Sequence, residues 1–285
     1  MAAHHFNWID TIDPRQPGAY AWFSDDPSVN TAVVFVHGFL GDAEGTWLNF
    51  QGMVDTHASG LTDWSASDLF FFPYASFRQN IDSNAWDLVR FLRSTYPKPS
   101  RDLFEIDRSL PLLPELLLNL DLKPRTYERL ILVGHSQGAL IIRRALILIF
   151  KNPKPKIKPV QREQLLAASV ALFAPAIFGF SPSGWVGSVL RIGAVESLAS
   201  LVLDRSPSFT EMKEKTVPNE IERQTELLLR PFACFSARTV FGKKDKFVTS
   251  MEYVFDTPTP PEPNENHTSI CKPRVKYMRP FEFVF

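Results

Sequence analysis

The sequence has no excess charge of either sign. Thirty-one basic residues are matched by 31 acidic ones over 285 positions, a formal net charge of zero. A surface that holds phosphate backbones needs a basic excess, so nucleic acid is excluded as the main partner. Cysteine is scarce. Cys234 and Cys271 are too few for a disulfide framework, and Cys234, in an apolar run, reads as a small buried hydrophobe. There is no Cys-x-x-Cys pair and no clustered His/Cys ligand set, which removes a structural zinc site. No apolar run reaches the roughly 18 residues of a membrane span. The first ten residues lack the basic-then-apolar pattern of a secretory signal, so a soluble, cytoplasmic protein is expected. With neither an internal repeat nor a linker-like stretch, residues 1–285 read as one domain.

Apolar runs and helical periodicity alternate along the chain. Residues 32–36, 69–72, 130–133, 168–174 and 232–241 are runs of strand formers. Between them, 46–57 places Trp47, Phe50 and Val54 on one helix face. A helix capped by Asp82 or Ser83 buries Trp86, Val89 and Leu92, and 139–150 is an apolar helix. Solid strands alternating with helices predict a mostly parallel, doubly wound α/β sheet covered on both faces. Tyr20 to Phe23 reads as an antiparallel edge strand and Tyr253 to Phe255 as another strand. Residues 110–120 read as a short helix and 151–159 as a solvated loop; 275–285 is assigned no element.

One pentapeptide stands out, Gly134-His135-Ser136-Gln137-Gly138. It joins the run ending at Val133 to the helical stretch from Ala139. A serine between two glycines at a strand-to-helix junction is a nucleophile elbow: the turn is strained, and any side chain at the glycines would block the crossing backbone. The following helix directs its first N–H groups at whatever the serine attacks.

Serine needs a base, and the base needs an orienting acid. In this architecture they follow the serine in the order acid, then histidine. Of six histidines only His267 lies downstream of Ser136, in the polar loop Asn264-Glu265-Asn266-His267-Thr268. For the acid, Asp245 follows the 232–241 run through Gly242-Lys243-Lys244, at a strand end where catalytic groups collect. It is preferred over Asp204 and Asp256. Attack on a carbonyl also requires donors for an oxyanion. The N–H of Gln137 is one; that of Phe39, in the loop His37-Gly38-Phe39-Leu40-Gly41 after the first strand, is the other. His37 and His135 read as structural.

Together, His-Gly-Phe after a strand, Gly-His-Ser-Gln-Gly, Gly-Lys-Lys-Asp and a later Asn-His resemble the α/β-hydrolase superfamily over residues 32–271. His37 to Gly41 with Thr46-Trp47, Arg205-Ser206-Pro207-Ser208-Phe209 and His267 to Pro273 are similar to its serine-esterase and lipase-like branch. That branch includes relatives of glycosylphosphatidylinositol inositol-deacylases. Phe173-Ala174-Pro175-Ala176 departs from the Gly-Thr-Pro-His run common there. The resemblance implies carboxylic-ester hydrolysis through an acyl-enzyme by Ser136, Asp245 and His267, with no metal and no cofactor. A thioesterase or acyltransferase would use the same three residues, and a non-catalytic binding protein could share the fold.

Residues 176–230 exceed what one helix between two strands requires. From Trp185 to Leu203 the only charges are Arg191 and Glu196, and a helix apolar nearly all round is either buried or covers an apolar site. The stretch reads as a lid, with a core-packing helix as the alternative. As a lid it would wall an acyl pocket with Leu40, Phe180 and Trp185 and touch membrane surfaces transiently. The substrate expected is a small-molecule or lipid ester.

Overall fold

A computed structural model describes residues 4–9, 19–24, 26, 28–43, 45–47, 50, 52–54, 62–99, 125–151, 157–179, 205–228, 232–251 and 253–285. Four apolar runs form its centre: β3 (Thr31–Val36), β4 (Ser67–Phe72), β5 (Arg129–His135) and β6 (Ser169–Phe173). Every residue of β3 and β4 is buried, as are all but the first of β5 and β6. Such strands have no solvent face, so their β-branched and aromatic side chains feed two cores at once. With β1 (His4–Ile9), β2 (Ala19–Ser24), β7 (Arg238–Val240) and β8 (Thr257–Pro258) they make one sheet, ordered β1-β2-β4-β3-β5-β6-β7-β8. β1 and β2 are antiparallel to their neighbours; the rest pair in parallel.

This order contains a change of direction. From β3 the chain moves to one side to make β4, then returns to lay β5 on the other side. β3 and β5 are thus neighbours whose connections run to opposite sides, the topological switch point beside which open α/β sheets bind ligands. His37 to Gly41 follows β3, and Ser136 follows β5.

The flanking helices are α1 (Ile81–Thr95), α2 (Gln137–Lys151), α3 (Pro159–Leu166), α4 (Pro207–Glu214), α5 (Thr216–Leu228) and α6 (Arg279–Val284). α1, α3 and α5 all pack on α2, and α4 packs on α5. Trp47, Phe50 and Val54 are buried as the spacing predicts.

Several expectations are corrected. β2 is not an edge, because β1 pairs outside it from His4↔Ser24 to Ile9↔Ala19. α1 is capped by Asn80, whose side chain accepts the Ser83 N–H at 2.8 Å, rather than by Asp82 or Ser83. Trp86 is 39% exposed, since the buried stripe through Ile81, Ala85, Leu88 and Leu92 leaves position 86 on its flank. The 232–241 run divides into a 3₁₀ turn, Ala233–Phe235, and the short β7. Tyr253 to Phe255 is no strand: Val254 is fully exposed in a turn, and the pairing residues are Thr257–Pro258. The unassigned tail contains α6, whose Phe281 meets Phe50 and Trp64 and whose Phe283 meets Phe173. The expected helix at 110–120 lies outside the described residues, as do Asp204 and the stretch around Phe180 and Trp185. Of the 176–230 stretch, α4 and α5 are described.

Candidate active site

Ser136 follows the last residue of β5 with φ 53°, in the left-handed region that side-chain-bearing residues avoid. The surroundings hold it there. Its N–H donates to the Phe173 carbonyl at 3.0 Å, and its own carbonyl accepts from Ala139 and Ala176, both at 3.2 Å. The two glycines have a packing reason. A Cβ at Gly138 would sit 2.3 Å from the Val36 carbonyl oxygen, and one at Gly134 would meet Ile142 Cδ1 at 2.9 Å. The elbow therefore packs against the end of β3 on one side and under its own helix on the other.

The structure brings the three sequence-selected residues into one hydrogen-bonded chain. His267 Nε2 is 3.0 Å from Ser136 Oγ, and His267 Nδ1 is 2.8 Å from Asp245 Oδ2. The other carboxylate oxygen, Oδ1, accepts the N–H groups of Phe247 at 2.8 Å and Val248 at 3.3 Å. Asp245 therefore meets only donors. Nδ1 of His267 must carry its proton, which leaves Nε2 as the acceptor facing the serine hydroxyl. The Asp245 side chain is fully buried and that of His267 is 10% exposed.

Asp256 is engaged by other partners. It is buried against Arg143, with Nη2 at 2.5 and 2.6 Å from its two oxygens, and it accepts the Ala237 N–H at 3.0 Å. Arg143 also donates to the Phe235 carbonyl and lies over the Tyr253 ring at 4.8 Å. This ion pair ties the β7–β8 connection to α2 and does not contact the serine or histidine through any bond.

The His267 loop is built by local polar chemistry. Asn266 Oδ1 accepts from the Thr268 and Ser269 N–H groups, a side-chain turn. Glu265, buried, pairs with Arg274 at 2.5 Å, and its carbonyl accepts the Lys244 N–H at 3.0 Å. The Asp245 turn and the His267 loop are thereby joined through backbone.

His135 and His37 are both buried. His135 Nε2 donates to the His267 carbonyl at 2.7 Å, because a carbonyl only accepts. The residue before Ser136 thus anchors the backbone of His267, a link the sequence alone did not suggest although His135 lies inside the motif. Phe247, whose ring lies 5.1 Å from that of His267, was likewise missed; nothing in its spacing marks it. His37 Nε2 accepts the Tyr74 N–H at 3.4 Å and its ring stacks on Tyr74 at 4.1 Å. Its Nδ1–H then donates to the Gly38 carbonyl at 2.8 Å, which also accepts the Gly41 N–H at 3.1 Å.

Phe39 is half-buried and Leu40 is 51% exposed. Gln137 is fully buried, its Oε1 3.3 Å from the Tyr74 hydroxyl. Because Gln137 is the first residue of α2, its N–H has no intrahelical acceptor. Phe180 and Trp185 lie outside the described residues.

Burial pushes His37 down to about 4 and His135 down to about 3. Unfolded histidine titrates near about 6.5. The stability that depends on their neutrality is fully present above that pH. Below it the unfolded chain takes up protons that the folded chain refuses, and stability falls toward pH about 4 for His37 and about 3 for His135. The slope is about 1.4 kcal/mol per pH unit for each. Urea midpoints should therefore drop steadily from about pH 6.5 to about 4.5, and less steeply in His135→Asn. Identical slopes in the two proteins would contradict this.

No protein-family model and no curated protein sequence matches the chain. Solved structures do match it. Esterase B of Lactobacillus rhamnosis, in a tributyrin-phosphonate-inhibited form, superimposes with a TM-score of 0.53 at 11% identity, covering 98% of this chain and 82% of that one. An esterase of Pyrococcus furiosus gives 0.51 at 15% identity, covering 99% and 90%. At such identities the likeness is one of fold. The chain has the α/β-hydrolase fold. Among the described residues, no group of three or more His, Cys, Asp or Glu could hold a metal ion, and no helix is long and apolar enough to cross a membrane.

Proposed function

We propose that the protein is a serine hydrolase that cleaves carboxylic esters through an acyl-enzyme on Ser136. The observation that carries this reading is the continuous chain from Ser136 Oγ through His267 to Asp245, on an elbow held at positive φ. Nε2 takes the hydroxyl proton as Oγ attacks the ester carbonyl. The resulting imidazolium sits against the Asp245 carboxylate and then gives its proton to the departing alkoxide. Water repeats the sequence on the acyl-serine, returning the serine proton and releasing the acid. The neutral, buried His135 beside the ring adds no competing positive charge.

The oxyanion would be met by the N–H groups of Gln137 and Phe39. A trans peptide points its N–H opposite to its carbonyl. His37 and Gly41 hold the Gly38 carbonyl on one side, so the Phe39 N–H is directed to the other. Gly38 itself packs against Ser136: a Cβ there would lie 2.9 Å from that of the serine. Each such donor is worth about 3 to 4 kcal/mol in the transition state.

The reading extends to 176–205 as a lid over an acyl pocket, with Leu40, Phe180 and Trp185 lining it and transient contact with lipid surfaces. It places the chain near the serine-esterase and lipase-like branch. Each buried methylene adds about 0.8 kcal/mol, so octanoate should exceed acetate in kcat/KM by one to two orders of magnitude. A panel of p-nitrophenyl esters from acetate to decanoate measures this. Hydrolysis with equal rates on acetate and octanoate would remove the acyl pocket; no hydrolysis of any ester in the panel would remove ester cleavage.

A further inference from the structure

The run Arg205-Ser206-Pro207-Ser208-Phe209 takes no part in the chemistry above, yet three of its side chains are buried among their neighbours. Ser206 and Ser208 are fully buried, and Phe209 is 9% exposed. Ser206 caps α4, its Oγ accepting the Phe209 N–H at 3.3 Å, with Pro207 in the first turn. Ser208 Oγ donates to the carbonyl of Ser76. One turn further on, Glu211 Oε2 accepts the Ile81 N–H at 2.8 Å. α4 is thus bonded at two points to 76–81, the segment that links β4 to α1.

Ser76 passes that attachment on. Its Oγ accepts the N–H of Leu40 at 3.0 Å. Leu40 has φ 54°, a conformation that a leucine adopts only when neighbours enforce it. The Phe209 ring lies 6.0 Å from that of Phe39. Phe39 therefore sits between two fixed peptide planes. The plane before it is held at the Gly38 carbonyl by His37 and Gly41; the plane after it is held at the Leu40 N–H by Ser76. The Phe39 N–H lies in the first plane, and the second fixes the other end of the residue, so that the loop as a whole keeps the first plane where it is.

We propose that Ser76 and Ser208 are positioning residues that hold the oxyanion loop in its donating conformation, with α4 as the rigid support. This rests on the ester-hydrolase reading. Without the Ser76 hydroxyl, Leu40 can leave the left-handed region and carry the Phe39 donor out of line. Without the Ser208 hydroxyl, the Ser76 turn loses its support.

The test uses Ser76→Ala, Ser208→Ala and Ser76→Thr, with active sites counted by fluorophosphonate titration so that misfolded protein does not enter the rates. Loss of a whole oxyanion donor lowers kcat by about 100- to 1,000-fold. Misalignment of one should lower kcat per titrated site by roughly 10- to 100-fold in Ser76→Ala and somewhat less in Ser208→Ala. KM should stay within about twofold. The inhibition constant of a trifluoromethyl ketone, which forms a tetrahedral oxyanion, should rise by the same factor as kcat/KM falls. The midpoint of the pH–rate profile should not move, and Ser76→Thr should recover most of the rate. Titrated sites that turn over at the wild-type kcat in both alanine variants would overturn the proposal, as would a change confined to KM. A wild-type protein inert to the fluorophosphonate would overturn the hydrolase reading and this proposal with it. A reactive wild type with unaffected variants would overturn this proposal alone.

Discussion

Ser136→Ala is expected to lower ester turnover by about 10⁴- to 10⁶-fold while leaving the urea midpoint within about 0.5 kcal/mol of wild type. The substitution removes one oxygen whose bond is to His267 Nε2. What keeps the elbow in place is backbone and packing: the N–H bond to Phe173, the carbonyl bonds from Ala139 and Ala176, and the close approach of Gly138 to β3. Alanine has the same positive-φ strain as serine, so none of these changes. The donors proposed at Phe39 and Gln137 remain, and a residual rate above that in water is expected from them. A variant retaining more than a tenth of the activity would mean that another group attacks the ester.

The second large effect separates two aspartates. Asp245→Asn should cost about 10³- to 10⁴-fold in kcat with little change in stability. The N–H groups of Phe247 and Val248 require an oxygen at the Oδ1 position, so the new amide must turn its NH₂ toward His267. Nδ1 then has to accept, the ring proton moves to Nε2, and the ring can no longer take the serine proton. Asp256→Asn should do the reverse. It leaves the Arg143 guanidinium buried beside a neutral amide, and breaking such a pair costs about 3 to 5 kcal/mol, while each folded molecule keeps near-normal turnover. Kinetics and urea unfolding on both variants check this; a rate defect in Asp256→Asn matching that of Asp245→Asn would contradict it.

The sheet was legible where a strand is buried on both faces. The runs of β3 to β6 contain little but apolar residues, so their existence follows from composition within a few positions. The switch point and the elbow follow from them. β1 was hidden because its polar and apolar residues show no solid run, and β8 because two residues contain no period; the 232–241 run pointed to β7 but overstated its length, since only Arg238–Val240 pair. α1 began one cap earlier than read, since Asn80 competes with Asp82 and Ser83 for the same role.

The candidate site was legible to the extent that chain order constrains it. One downstream histidine left a single candidate for the base, and the turn after β7 favoured Asp245 over Asp204 and Asp256 for the acid. What chain order cannot convey is contact between distant segments. His135 reaching the carbonyl of His267, Ser76 reaching Leu40, and Ser208 reaching Ser76 span 132, 36 and 132 positions. Each is made by a residue type that is common on any surface.

If Ser136 is the nucleophile and His267 its base, the intact protein should react with a fluorophosphonate, read by intact mass and peptide mapping. One adduct per chain is expected, on Ser136, forming in step with the loss of esterase activity and at least a thousandfold slower in His267→Ala. An adduct on another residue, or full activity in protein left unlabelled at Ser136, would contradict that assignment.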